Sequence, residues 1–322
     1  MKKILLLLVF LGLMSTVLAQ QNVPRSAKFD FVPGKIIVKL KDEIKAKVTY
    51  NKKGQGSTTI DIANLIGFSG KVKTQKVLFS EKSIQKSIVR ENAKTQDPRI
   101  KNSKSLKNIF LLELKDQNEN ILELVETLNK NDNVDYAEPN FLFSIDDFKV
   151  DSEIIYPKEI KSKKENSSFT VPNDPLYSQQ SNIGQVKLDQ VWETYTTGDG
   201  TQIVAVLDTG VDYTHPDLEA NIWINEAELN GVEGYDDDGN GYIDDIRGWD
   251  FHHNTNTPLD DNMHGTHVAG IIGAVGNNGI GISGAAWNVK LMPLKVFQAS
   301  GIGDLSTIAS GIDYAVNNGA TV

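Results

Sequence analysis

The 322-residue sequence contains no cysteine, which excludes disulfides, a thiol nucleophile and lipid attachment through an N-terminal cysteine. Positive charge is scarce in one half of the chain. Residues 173–322 hold 4 Lys/Arg against 21 Asp/Glu, whereas residues 1–172 hold 29 against 21. The acidic half argues against a polyanion, so nucleic acid is not an expected partner. A basic front facing an acidic rear suggests instead that the two halves attract each other. Long apolar runs are missing too, since no stretch past the N-terminus approaches the roughly 18 residues of a membrane span.

What is present begins with an export signal. Lys2 and Lys3 precede an apolar run from Ile4 to Leu13, and small or apolar residues lead to Val17-Leu18-Ala19. That pattern reads as a secretory signal over 1–19, cleaved after Ala19, and predicts a secreted or extracytoplasmic protein with no membrane association once the signal is gone.

Residues 20–143 read as a small α+β unit. Ile36, Val38 and Leu40 alternate with Lys35, Ile37, Lys39 and Lys41, a half-buried strand. Helical pieces are expected at 62–66 and 83–92, a strand over 108–115 and an amphipathic helix over 118–130, with Ile121, Leu124, Val125 and Leu128 at i, i+3, i+4 and i+7. The stretch 134–143 reads as a strand ended by Pro139. This alternation fits a ferredoxin-like βαββαβ unit. Residues 144–172, rich in Lys, Glu, Asn and Ser without apolar periodicity, read as a linker, and a maturation cut is expected within 141–172.

The rest is organised around 202–270. Five apolar residues, Ile203 to Leu207, run into Asp208-Thr209-Gly210. This is the pattern of a strand buried on both faces that delivers an aspartate to the carboxyl rim of a parallel sheet. In NMHGTHVAGIIGAVG (262–276) small residues recur at near-helical spacing and place His264 in a first turn. There the helix dipole disfavours the imidazolium and keeps the ring ready to accept a proton, while a nearby aspartate can fix its tautomer. His264 and His267, at i and i+3, could instead be metal ligands, although zinc helices more usually use i and i+4.

The segments VAVLDTG (204–210), HPDL (215–218) and HGTHVAG (264–270), in that order, resemble the subtilisin-like serine proteases, or subtilases. The resemblance implies a three-layer α/β/α catalytic domain with a parallel sheet over 173–322. In it Asp208 orients the base, His264 is the general base and His267 is structural. PGKIIVKLK (33–41) and VDYAEPN (134–140) resemble the family's propeptide, which implies that the front unit is an intramolecular inhibitor and folding aid. SGIGD (300–304) resembles the substrate-binding edge, so that Gly301, Ile302 and Gly303, with Asn262, would border a cleft for peptide or protein substrates. The oxyanion asparagine and the Gly-Thr-Ser nucleophile segment of the family pattern do not occur before Val322. The expectation is therefore a fragment that is inactive alone, and the rival reading is a non-catalytic binding protein on a subtilase relic.

Calcium is the expected ion. In YDDDGNGYIDDIRGWDF (235–251), Asp236, Asp238 and Asn240 alternate, Gly241 stands where an EF-hand loop turns sharply, and Tyr242, Asp244 and Asp245 are further candidates. Arg247 occupies the position of the closing glutamate, so the loop is read as a non-EF calcium loop. A second calcium site rests on resemblance alone and comprises Asp174, Asp217, Asn278, Ile280 and Ile282.

Overall fold

A computed structural model describes residues 31–44, 48–50, 56–58, 61–85, 106–145 and 171–322. The signal segment, most of the linker and most of the expected 83–92 helix lie outside the described residues. In the front unit the elements run β1 (Phe31–Leu40), β2 (Val48–Tyr50), β3 (Gly56–Thr58), α1 (Ile62–Leu65), β4 (Val72–Val77), β5 (Ile109–Leu114), α2 (Ile121–Leu128) and β6 (Val134–Ser144). Strands β6, β1, β5 and β4 stand side by side in that order, and all their pairings are antiparallel.

One face of this sheet carries Ile36, Val38, Leu40, Phe110, Leu112 and Leu114 against α1 and α2, all at 1% exposure or less. Burying each of these side chains stabilises the unit by about 1.5–3 kcal/mol. Helix α2 is capped by the side chain of Asn120 and buries Ile121, Leu124 and Leu128, as its period predicts.

The second face departs from the expected half-buried strand. Ile37 and Lys39 are 2% and 1% exposed, because this face is covered as well. Ile37, Leu78, Phe79 and Ile109 pack with Ala309, and Leu305 packs against them. Nor does β6 end at Pro139: it runs on to Ser144. Pro139 stands opposite Ile36 in the last regular β1–β6 pair, next to the register shift between Phe31 and Ile36, the kind of place where a strand tolerates a missing N–H.

The rear unit comprises α3 (Ser181–Gln185), α4 (Leu188–Thr194), β7 (Ile203–Asp208), α5 (Glu226–Leu229), β8 (Trp249–Asp250), α6 (His264–Gly273), β9 (Lys290–Lys295), β10 (Ile302–Asp304) and α7 (Leu305–Asn317). Strands β7, β9 and β8 form a parallel sheet in that order. The apolar run of β7 is covered on both sides. Val204 and Val206 pack in a cluster with Ala269 of α6, while Ile203, Ala205 and Leu207 pack in another with Tyr314 of α7.

The glycines of α6 are what bring it this close. A Cβ on Gly265 would stand 2.0 Å from the Gly210 carbonyl oxygen, and one on Gly273 would meet Val289 at 2.5 Å. Helix α7 starts, as its sequence signals, at Asp304, whose Oδ1 accepts from Thr307 N at 3.0 Å. The apolar spacing of 305–319 predicts a stripe of Leu305, Ile308, Ile312 and Val316; the buried residues are instead Ser306, Ala309, Gly311, Tyr314 and Ala315, because α7 packs against the front sheet as well as its own.

Candidate active site

Strand β7 ends on Asp208, and Gly210 turns the chain with φ +103°, where a side chain would strike Pro258 O at 2.6 Å. Asp208 Oδ1 accepts from the Thr209 backbone N–H at 2.7 Å and lies 2.7 Å from His264 Nδ1. The aspartate side chain is 10% exposed and the histidine 26%, so the carboxylate is sheltered while the ring keeps an open side. The two halves of the pair, 56 residues apart, meet because a strand end and a helix start are packed through glycine.

Helix α6 begins after Met263, which holds φ +84° and caps nothing with its side chain. The capping falls to Asp260, a residue that sequence reasoning missed. Its carboxylate accepts from the N–H groups of Asn262, Met263 and Thr266 and from the hydroxyls of Thr266 and Thr209, at 2.6–3.1 Å. Burial alone would raise its carboxyl pKa, but these bonds outweigh burial and hold it below the usual range. The only sequence signal was an acidic residue four positions before the helix. Thr209 completes the link, since its Oγ1 accepts from Gly265 N at 3.0 Å.

Asn262 accepts from His264 N at 3.3 Å and donates to Ala299 O at 2.7 Å, which joins the histidine loop to the chain entering β10. Gly301 has φ +76°. The edge it begins is paired: Ile302, Gly303 and Asp304 stand opposite Ser144, Phe143 and Leu142 of β6, and Ile145 N donates to Gly301 O at 2.9 Å. A Cβ on Gly301 would lie 2.5 Å from Ile145 Cγ1.

A cavity of about 490 Å³ lies beside α6, lined among others by Asp212, His215, Met263, Thr266 and His267, and its lining includes neither Asp208 nor His264. His267 lines this cavity and His264 does not. Among the described residues, the acidic and histidine groups that converge closely enough to share an ion are Glu228, Asp236 and Asp238, with ligand oxygens within 4.8 Å of one another. Neither histidine of α6 belongs to that set.

Three carboxylates are the hard-oxygen donor set that a calcium ion takes. Glu228, which sequence reasoning missed because it comes from α5, also accepts from the N–H groups of Asp237, Asp238 and Asp244. Gly241 makes the expected turn at φ +99°. Asn240 donates to Asp238 and Asp245. Asp245 is fully buried and accepts from Asn225, Asn240 and Tyr314; burial pushes its carboxyl up to about 6. Asp244 is turned toward Gly234 N, and the Tyr242 ring packs among Trp249, Phe251 and Tyr314.

The other expected set is also gathered in space. Asp174 accepts from Asn277 N and Asn278 N at 2.8 and 3.0 Å, Asp217 accepts from Asn278 Nδ2 and Ile282 N at 2.9 and 3.0 Å, and Asn278 Oδ1 accepts from Ile280 N at 2.8 Å.

Residues 199–322 match the model of the subtilase family. The chain is 43% identical over 159 residues to Subtilisin-like protease 1 of Plasmodium berghei (strain Anka), covering 49% of this chain and 26% of that protein. It is 36% identical over 204 residues to the thermophilic serine proteinase of Bacillus sp. (strain AK1), covering 63% and 39%. With the cell wall-associated protease of Bacillus subtilis (strain 168) it shares 30% over 311 residues, covering 88% and 31%. The chain therefore spans well under two thirds of each of these relatives.

Proposed function

Since the chain belongs to the subtilase family, we propose that it carries the acid–base part of a serine-type endopeptidase that cuts peptide bonds in proteins. The observation that carries this reading is the 2.7 Å contact between His264 Nδ1 and Asp208 Oδ1 at a strand end and a helix start. An Nδ1–H held by the carboxylate leaves Nε2 to take the proton of a serine hydroxyl. The carboxylate then stabilises the imidazolium while the serine oxygen attacks the scissile carbonyl. His264 next protonates the departing amine, and water, activated by the same ring, hydrolyses the acyl-enzyme. The hydroxyls of Ser283, Ser306 and Ser310 are engaged by Asp174, Asp304 and the Ser306 carbonyl, so none of these three is assigned the nucleophile's part.

Substrate is read as an extended peptide that pairs with Gly301, Ile302 and Gly303, main chain to main chain, beside Asn262. The front unit is read as an inhibitory propeptide of ferredoxin-like form, docked on a three-layer catalytic domain of the exported protein. Two observations support that reading. Residues 142–145 take the β10 edge, and Ser80, Asn140 and the Ile37 face engage α7 and its cap through Asp313, Asp304, Ser306 and Ala309. Glu228, Asp236 and Asp238 would hold a structural calcium, with Asp174, Asp217, Asn278 and the carbonyls of Ile280 and Ile282 a second; the ion's part is to neutralise converging carboxylates. The test is propeptide release in the natural protein. Wild type should separate the front unit from the rear, His264→Ala should not, and normal processing in that variant would overturn the assignment.

A further inference from the structure

The acidic rear unit places one of its few cations in the interior. Of Lys187, Arg247, Lys290 and Lys295, the four basic residues of 173–322, Lys295 has a side chain only 2% exposed. Burying an ammonium costs several kcal/mol unless its donors are met, and a buried pair seldom adds net stability over an apolar side chain of the same size. Such a group is better explained by what it holds in place.

Lys295 ends β9, the central strand, and is paired in register with Asp208 on one side and Asp250 on the other. Its Nζ donates to Thr209 O at 2.5 Å and to Asp261 Oδ1 at 2.6 Å. Thr209 follows Asp208, gives its N–H to that carboxylate and accepts from Gly265 N. Asp261 adjoins the capping residue Asp260 and lies three residues before His264. One buried ammonium thus ties the exit of β7 and the entry of α6, the two segments that carry the halves of the Asp208–His264 pair, to the same strand.

We propose that Lys295, acting through Thr209 and Asp261, is a positioning residue that sets the Asp208–His264 contact. The proposal rests on that pair as the acid–base unit, but its test does not depend on peptide hydrolysis. The ring ¹⁵N shifts and the Nδ1–H proton of His264 report the hydrogen bond to Asp208 directly, and can be read by NMR on this chain alongside its thermal melt. Lys295→Met keeps length and bulk but removes charge and donors, so below the melt it should lose the Nδ1–H resonance or move the ring shifts toward a mixture of tautomers. Lys295→Arg should restore the wild-type pattern.

Asp261 is the exposed end of the link, its side chain 43% exposed. Asp261→Ala should therefore show the same change more weakly in a chain that still folds, and Asp261→Asn, which keeps an acceptor, should not. A wild-type His264 spectrum in folded Lys295→Met or in Asp261→Ala would overturn the proposal, and if Lys295→Met fails to fold, Asp261→Ala decides. Failure of the protease reading has a different mark: the natural protein would resist a serine-directed phosphonate while the His264 spectrum still responded to Lys295.

Discussion

Two Asp–His pairs stand at one rim of the parallel sheet, on either side of Lys295. Asp208 contacts His264 Nδ1 at 2.7 Å, and Asp250 contacts His253 Nδ1 at 2.7 Å. The distances are equal but the construction is not. Asp250 and His253 belong to one turn, where Asp250 also accepts the N–H groups of His252 and His253, and the His253 side chain is 56% exposed. Asp208 and His264 come from different elements, are braced by Thr209, Asp260 and Lys295, and leave the histidine 26% exposed. The lesson is that an Asp–His distance carries no function by itself. A local pair closes a turn, whereas a pair assembled across the fold has been brought together at the cost of a buried lysine and a carboxylate with five donors.

The largest expected effect separates the two histidines. His264→Ala in the natural protein should lower peptide hydrolysis by about 10⁴-fold or more, whereas His253→Ala should leave turnover unchanged; steady-state kinetics on one peptide substrate checks both. Equal losses would erase the distinction. The two aspartates should then differ in kind. Asp208→Asn should cut kcat by about 10⁴-fold in a chain that still folds, a loss far beyond any change in its melt. Asp250→Asn should spare kcat and cost about 1–3 kcal/mol of stability, read by denaturant unfolding, because buried donors lose an anionic acceptor.

Glu228, Asp236 and Asp238 extend the contrast to carboxylates that converge on one another rather than on a histidine. If they hold calcium, a chelator should lower the melting temperature, by an amount equivalent to about 3 kcal/mol from a hundredfold excess of ion over its dissociation constant. Glu228→Gln should remove most of that response, and a melt indifferent to chelator in the wild type would end the calcium reading.

Glu138, on the covered face of the front sheet, sharpens the contrast by pH. Burial pushes its carboxyl from an ordinary 4.5 up to about 7. The folded state therefore binds its proton more tightly than the unfolded state, so this contribution to stability is whole below pH 4.5, declines as pH rises and is gone above about 7. Melts from pH 5 to 8 should show a decline on the order of 2 kcal/mol that Glu138→Gln flattens. A profile unchanged by the substitution would remove Glu138 from the account. The smallest effect should be His253→Gln, within about 0.5 kcal/mol of wild type.

What could be read from sequence was what neighbouring residues encode. The β7 run, Asp208 at its end, His264 in a first turn, the α2 stripe and the Asp304 cap all follow from local period and polarity. What could not be read is made by tertiary contact. Ile37 looks half-exposed until α7 covers it, Lys39 until its ammonium meets Asp42 and the Lys107 carbonyl, and the α7 stripe is displaced because that helix packs against two sheets. Pro139 looks like a stop until an irregular register accommodates it. Glu228 and Lys295 were illegible for the same reason: each acts on residues brought from elsewhere in the chain, and a lone charged residue carries no mark of where its partners will be. Asp260 caps mostly neighbours, but from four positions before the helix rather than from the usual cap position, with Thr209 its one distant donor.

If Asp208 and His264 activate a serine, labelling with a serine-directed phosphonate reads that activation most directly. The natural protein freed of its front unit should be labelled stoichiometrically, His253→Ala should be labelled at the same rate, and His264→Ala should be all but silent. Absence of labelling in the wild type, or equal labelling with and without His264, would contradict the account.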